Sequence, residues 1–263
     1  MNDMIWYINE FVLFFVAFVF FVLVIEVSFR LGRSNCDHKD DDRNRHVETL
    51  QAATLLLLGL LLGFTFAMAV SRFDARKAIL LDEANAIGTA LLRSQFLPSA
   101  QHHEVAALFR EYLSARRDLY NAGIDQVRLG EVSAAASRIE ERLWTLAVAA
   151  GSVEPRSVPV SLFIQSMNEL IDDNEKRLVA LENHVPEAVL LLLFFVSAIA
   201  IGFVSYGCGL TGRRRFGLNV IFAILIAMVI TIILDIDRPR RGFVQINQES
   251  MIRLQDKLNK ASH

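Results

Sequence analysis

The stretch LDIDRPRR (residues 234–241) sets two carboxylates, Asp235 and Asp237, beside three guanidiniums, Arg238, Arg240 and Arg241. Such pairs hold helix ends together or form charged rings. Catalysis would need a nucleophile, a proton acceptor or a metal beside them. None is evident. The six histidines (38, 46, 102, 103, 184 and 263) are scattered, and His102–His103–Glu104 has no second histidine at metal-ligand spacing. The run Asp37–Asp42 lacks the glycine and closing glutamate of a calcium loop. No phosphate loop, Gly-rich nucleotide fingerprint or nucleophile elbow occurs. The residues point away from an enzyme and call for no metal and no cofactor.

A second charged set follows at Arg72, Asp74, Arg76, Lys77, Asp82, Glu83 and Arg93. Its signs are mixed, which excludes a polybasic lipid-binding helix and favours a surface of ion pairs. Both sets border apolar runs. The charges at Asp74, Glu83, Asp235, Asp237 and Arg238 are therefore expected to form a collar at a membrane edge. Asp235 and Asp237 would end the fourth span, where a helix C-terminus favours cations from Arg72, Arg76 or Arg238. Pro239 and Gly242 would turn the chain back along the surface. The bland alternative is a fringe of ordinary juxtamembrane charges.

Those apolar runs define the architecture. Of the 263 residues 53% are hydrophobic, and they are concentrated in Phe11–Ile25, Leu50–Val70, Ala188–Tyr206 and Phe216–Leu234. Each is near the roughly 20 residues a helix needs to cross a bilayer. The expected fold is all-α, with four transmembrane helices arranged two plus two and a helical extramembrane domain between spans two and three. The boundaries are 1–71 for the first pair, 72–185 for the helical domain, 186–236 for the second pair and 237–263 for a juxtamembrane tail. The first run lacks a basic leader and a cleavage site, so it should remain as an anchor. Cys36 and Cys208 lie beside different spans and specify no disulfide framework.

The block from Arg72 to His184 holds 13 basic and 16 acidic residues, a balance unsuited to binding nucleic acid. Apolar positions recur at helical spacing in Val105, Leu108, Phe109, Tyr112 and Leu119. Breaks are expected at Pro98, at Asn121–Gly123 and over Gly151–Pro159, with a kink or new start at Pro186. A short extended piece is possible at Phe243–Ile246. Between Leu50 and Arg93 nothing interrupts a helix, which would measure roughly 65 Å and carry the second span out of the membrane.

The second span has two distinctive faces. Gly59 and Gly63, with Leu56, Phe66 and Ala67 nearby, form a small-residue stripe that would let another helix approach closely. Thr54, Leu58, Leu61, Thr65, Met68 and Arg72 form a weakly polar stripe that would face protein or water. Equally, the threonines could simply bond to their own backbone. Orientation is contested. Basic residues in the loops Arg30–Glu48 and Gly209–Arg215 place those loops in the cytoplasm and the helical block outside. Arg72, Arg76, Lys77, Arg238, Arg240 and Arg241 flank the opposite side.

SRFDARKAILLDEANAIGTALLRSQFLP (71–98) and LDIDRPRRGFVQINQESMIRL (234–254) resemble the bestrophin-like family of bacterial membrane proteins of unknown function. The resemblance spans essentially the whole chain. Arg240 departs from the family's pattern, where an aromatic is usual. Similarity to bestrophins implies an ion channel with anions favoured, in a homo-oligomeric ring within the bacterial inner membrane. The partners would be lipid, inorganic ions and copies of the chain itself. It also implies a cytosolic helical block, against the loop charges. On this reading the second span lines the pore, with Phe64, Thr65, Phe66 and Met68 near its constriction. Arg72 and Arg76 would form positive rings. The alternative is a non-conducting scaffold or sensor whose helical domain binds a partner.

Overall fold

The computed structural model describes residues 9–35, 41–123, 125–238 and 244–260. Readings that fall on Cys36, Asp37, His38, Pro239, Arg240, Arg241, Gly242, Phe243 and His263 lie outside them. All regular structure among the described residues is helical. In chain order the helices are α1 (Glu10–Ser34), α2 (Asp41–Ser94), α3 (Ser99–Asn121), α4 (Gln126–Val153), α5 (Val158–Glu182), α6 (Glu187–Leu210), α7 (Phe216–Asp237) and α8 (Glu249–Lys260). Four segments are long and apolar enough to cross a membrane: Glu10–Ser34, Asp42–Ser94, Val158–Leu210 and Phe216–Asp237.

Local chemistry sets the boundaries. Asn9 caps α1 by accepting the Phe11 N–H at 2.9 Å. Asp125 caps α4 through the N–H groups of Val127 and Arg128. Pro98 and Pro186 occupy the N-cap positions of α3 and α6, and Pro159 sits in the first turn of α5. A missing N–H costs nothing at these places. The uninterrupted stretch forms one helix, and it starts well before Leu50. At 54 residues, α2 is about 80 Å long. No strand forms at residues 244–246.

The chain divides into two compact units: Met1–Ser71 with His184–Arg238, and Arg72–Asn183 with Pro239–His263. In the membrane unit α1 packs against α6 and α7. The closest approach is backbone to backbone. A Cβ built on Gly32 would lie 3.1 Å from the Gly209 Cα, and one on Gly209 would lie 2.8 Å from the Arg33 nitrogen. Glu26, directly after the apolar run, is offset by Arg30 at 2.7 Å and Arg214 at 2.9 Å. The Asn219 amide donates to the Ser205 hydroxyl at 3.2 Å, tying α7 to α6.

In the helical unit α3, α4 and α5 pack in succession and α8 packs on α3. Val105, Leu108, Phe109 and Tyr112 are buried together with Leu143, Phe163, Met167 and Leu170. The helix α8 joins this core. Met251 and Leu258 of α8 are buried in this core, and Leu254 packs against it. Their spacing is that of an amphipathic helix, which gains more from apolar contact here than from solvent.

Candidate functional site: the second helix and its buried charges

Within the membrane segment of α2, Leu58, Thr65 and Ala69 are buried along one stripe. At 100° per residue, Leu56, Leu60, Gly63 and Ala67 fall on the opposite side. Leu56 is 78% exposed and Phe64 65%. Phe66 and Met68 are also exposed. Gly59 and Gly63 are open: nothing lies within 4 Å of a Cβ built on either. Among the described residues the expected close helix approach is not made at this stripe; Gly32 and Gly209 make one instead. The threonine hydroxyls follow the local alternative. Thr54 donates to the Leu50 carbonyl at 2.6 Å and Thr65 to the Leu61 carbonyl at 2.7 Å.

Beyond Ser71, Arg72 and Arg76 reach the end of α5. Arg76 is buried and donates from Nε to the Ala180 carbonyl at 3.0 Å and from Nη2 to the Asn183 carbonyl at 2.8 Å. Arg72 donates to the Asn183 side-chain oxygen. Helix C-terminal carbonyls lack intrahelical donors and carry partial negative charge, so a guanidinium satisfies both needs. Asp74 is exposed.

In the membrane unit Asp235, Asp237 and Arg238 are all buried. The Asp237 carboxylate accepts the Val185 N–H at 2.7 Å and lies 3.6 Å from His184 Nδ1. Arg238 donates to Glu10 at 3.0 Å and links the end of α7 to the start of α1. Sequence reading had not paired Glu10 with this cluster, because 228 residues separate the partners.

Glu83 does not belong to a membrane-edge collar. It lies in the core of the helical unit at 0% exposure, paired with Arg116 and 3.8 Å from Arg177. The Tyr112 hydroxyl is 2.8 Å from Glu83 and 2.9 Å from Glu140, and Asn174 donates to Glu140 at 3.1 Å. Burial raises the Glu140 carboxyl above its usual range, against the lowering effect of Tyr112 and Arg116. Burial and the neighbouring Glu83 charge likewise hold the Tyr112 phenol in its neutral form. One hydroxyl hydrogen cannot serve two carboxylates. The hydroxyl bonds one carboxylate at a time, so Glu83 and Glu140 are alternative acceptors for Tyr112. Among the described residues no group of three His, Cys, Asp or Glu side chains could hold a metal ion.

These features define a multi-pass, all-α membrane protein with a helical unit inserted between two pairs of spans. The chain matches the bestrophin-like domain over residues 13–251, and it belongs to the bestrophin-like family. A bacterial bestrophin homologue from Klebsiella pneumoniae has a similar fold, with a TM-score of 0.66 at 13% identity over 96% of this chain and 98% of that one. A point variant of that homologue gives 0.67 at 14% identity over the same shares. A further structure, of a membrane protein, gives 0.68 at 13% identity over 94% and 97%. Identities this low carry the fold alone. No functionally curated protein matches the chain.

Proposed function

We propose that the chain is a non-catalytic, homo-oligomeric ion channel of the inner membrane, lined by α2 and favouring anions. One observation carries the reading: the uncovered side of α2. Leu56, Leu60 and Phe64 recur every four residues and are among its most exposed positions. Gly59 and Gly63 lie uncovered beside them. A helix facing only lipid gains nothing from two glycines, each of which costs up to about 1 kcal/mol of helix propensity. Around a symmetry axis, the glycines would let neighbouring copies approach while Leu56, Leu60 and Phe64 narrow the conduit. Membership of the bestrophin-like family favours the same arrangement. Arg72 is the less buried of the two arginines beyond the span: Arg76 is buried against the end of α5, whereas Arg72, which also reaches Asn183, is half-buried.

The test is flux through the purified chain in liposomes, with reversal potentials in asymmetric chloride. Replacing Phe64 by alanine should raise unit conductance severalfold without changing the oligomer. A monomer that passes no ion in either form would refute the channel and leave a scaffold or sensor.

A further inference from the structure

At the membrane edge where α2 begins its apolar run, a cleft of about 570 Å³ opens between the start of α2, the end of α6 and the start of α7. Its depth follows from the sequence. The apolar runs of these three helices begin or end at Leu50, Tyr206 and Phe216, and the wall residues lie within about two turns of those points. The cleft therefore opens at the level of lipid headgroups. Arg213, Arg215 and Glu48 stand on its wall, all exposed, beside half-buried Gln51 and Cys208. The neighbouring Arg214 is taken by Glu26 at 2.9 Å. Among the described residues, the side chains of Arg213, Arg215 and Glu48 make no hydrogen bond and no ion pair. Two free guanidiniums and one free carboxylate thus share one open cleft.

We infer that this cleft holds one aminophospholipid of the surrounding bilayer, its phosphodiester on Arg213 and Arg215 and its ammonium on Glu48. The charges select the class. A phosphodiester gains paired, charge-assisted hydrogen bonds from a guanidinium. A simple anion would satisfy the arginines yet face Glu48 in the same cleft, whereas a headgroup with a second, positive end satisfies all three groups. A primary ammonium has three donors for the carboxylate; a trimethylammonium has none. The acyl chains have a path as well. Leu218 lines the cleft, and Ile221 and Leu225 follow it at steps of three and four, all exposed on one face of α7. The site stands whether or not the chain conducts ions, since every wall residue belongs to the membrane unit and none of them is Leu56, Leu60 or Phe64.

The experiment uses the full chain in detergent with Cys36→Ser, which leaves Cys208 on the cleft wall as the sole thiol. Micelles are doped with phosphatidylethanolamine, phosphatidylcholine or phosphatidylglycerol at equal mole fraction, and inorganic phosphate in the buffer is a further comparison. Phosphatidylethanolamine should slow maleimide labelling of Cys208 saturably, by about fivefold or more, and native mass spectrometry should retain one such lipid per chain. The other two lipids and inorganic phosphate should protect less. Arg213→Gln combined with Arg215→Gln should abolish the protection. Glu48→Gln keeps both arginines and should erase the preference for ethanolamine over choline. All three positions are exposed, so neither variant threatens the fold. Equal protection by the three lipids would overturn the assignment, as would undiminished protection in the double arginine variant. Protection by inorganic phosphate alone would mark an anion site without lipid and overturn it too, and stronger protection by phosphatidylglycerol would overturn the amino class.

Discussion

Adding one methyl group at Gly209 should loosen the membrane unit. In Gly209→Ala the new Cβ would collide with the Phe29 carbonyl oxygen and lie 2.8 Å from the Arg33 nitrogen and 2.9 Å from the Gly32 carbonyl carbon. All three are backbone atoms, so no rotamer change relieves the clash. Restoring ordinary contact requires α1 and α6 to part by about 0.5–1 Å, which forfeits a quarter to a half of each dispersion contact across the gap. A buried side chain of leucine size makes about 50 contacts of roughly 0.15 kcal/mol each. Losing a quarter of one such set amounts to about 2 kcal/mol, within the usual range for overpacking.

The assay is heating in detergent followed by size-exclusion chromatography. For a chain of this size the expected fall in midpoint is about 4–8 °C. Gly207 supplies the control on the same helix. A Cβ there would meet Gln51 at 3.5 Å and Val47 at 3.8 Å, which is ordinary contact. Gly207→Ala should therefore melt with the parent. If Gly209→Ala also melts with the parent, or both variants fall equally, the close-approach argument is wrong.

Two further outcomes follow from the buried charges. Because burial raises Glu140, the folded chain holds its proton where the unfolded chain has lost it. Stability from this group is present below the ordinary carboxylate value and declines as pH rises through the raised one; Glu140→Gln should flatten that slope in a pH series of denaturation curves, and an unchanged slope would count against it. Arg238→Glu alone should cost about 3–5 kcal/mol by leaving Glu10 facing a like charge out of water. Adding Glu10→Arg should recover much of the loss, whereas strictly additive losses would mean that the pair is not coupled.

The four spans and the helix breaks were legible because membrane thickness and the missing proline N–H act locally. The close approach was not. Gly59 and Gly63 have the spacing of a packing stripe, whereas Gly32 stands alone on α1 and its partner Gly209 is one of three glycines on α6, far away in sequence. Spacing on one helix says that a partner could come near, and only the fold says whether one does. The same limit hid the Glu10–Arg238 pair, since Arg238 stands next to Asp235 and Asp237 in sequence while Glu10 lies 228 residues away.

Glu83 is different, because its burial could have been read. Arg76, Glu83, Ile87, Ala90 and Ser94 are buried residues of α2 at steps of seven, four, three and four. That is one seam of a helix, and Glu83 stands on it. On α3, Tyr112 and Arg116 continue the seam of Val105, Leu108 and Phe109. On α5, Arg177 follows Phe163, Met167 and Leu170 at steps of four, three and seven. A carboxylate on an apolar seam demands a buried cation, and only a cation that itself lies on a seam can be buried to meet it. Arg116 and Arg177 satisfy that condition, and both face Glu83. Sliding α3 by one turn would carry Arg116 past Glu83 and leave two charges facing hydrocarbon. The ion pairs thus select the register of the helical unit.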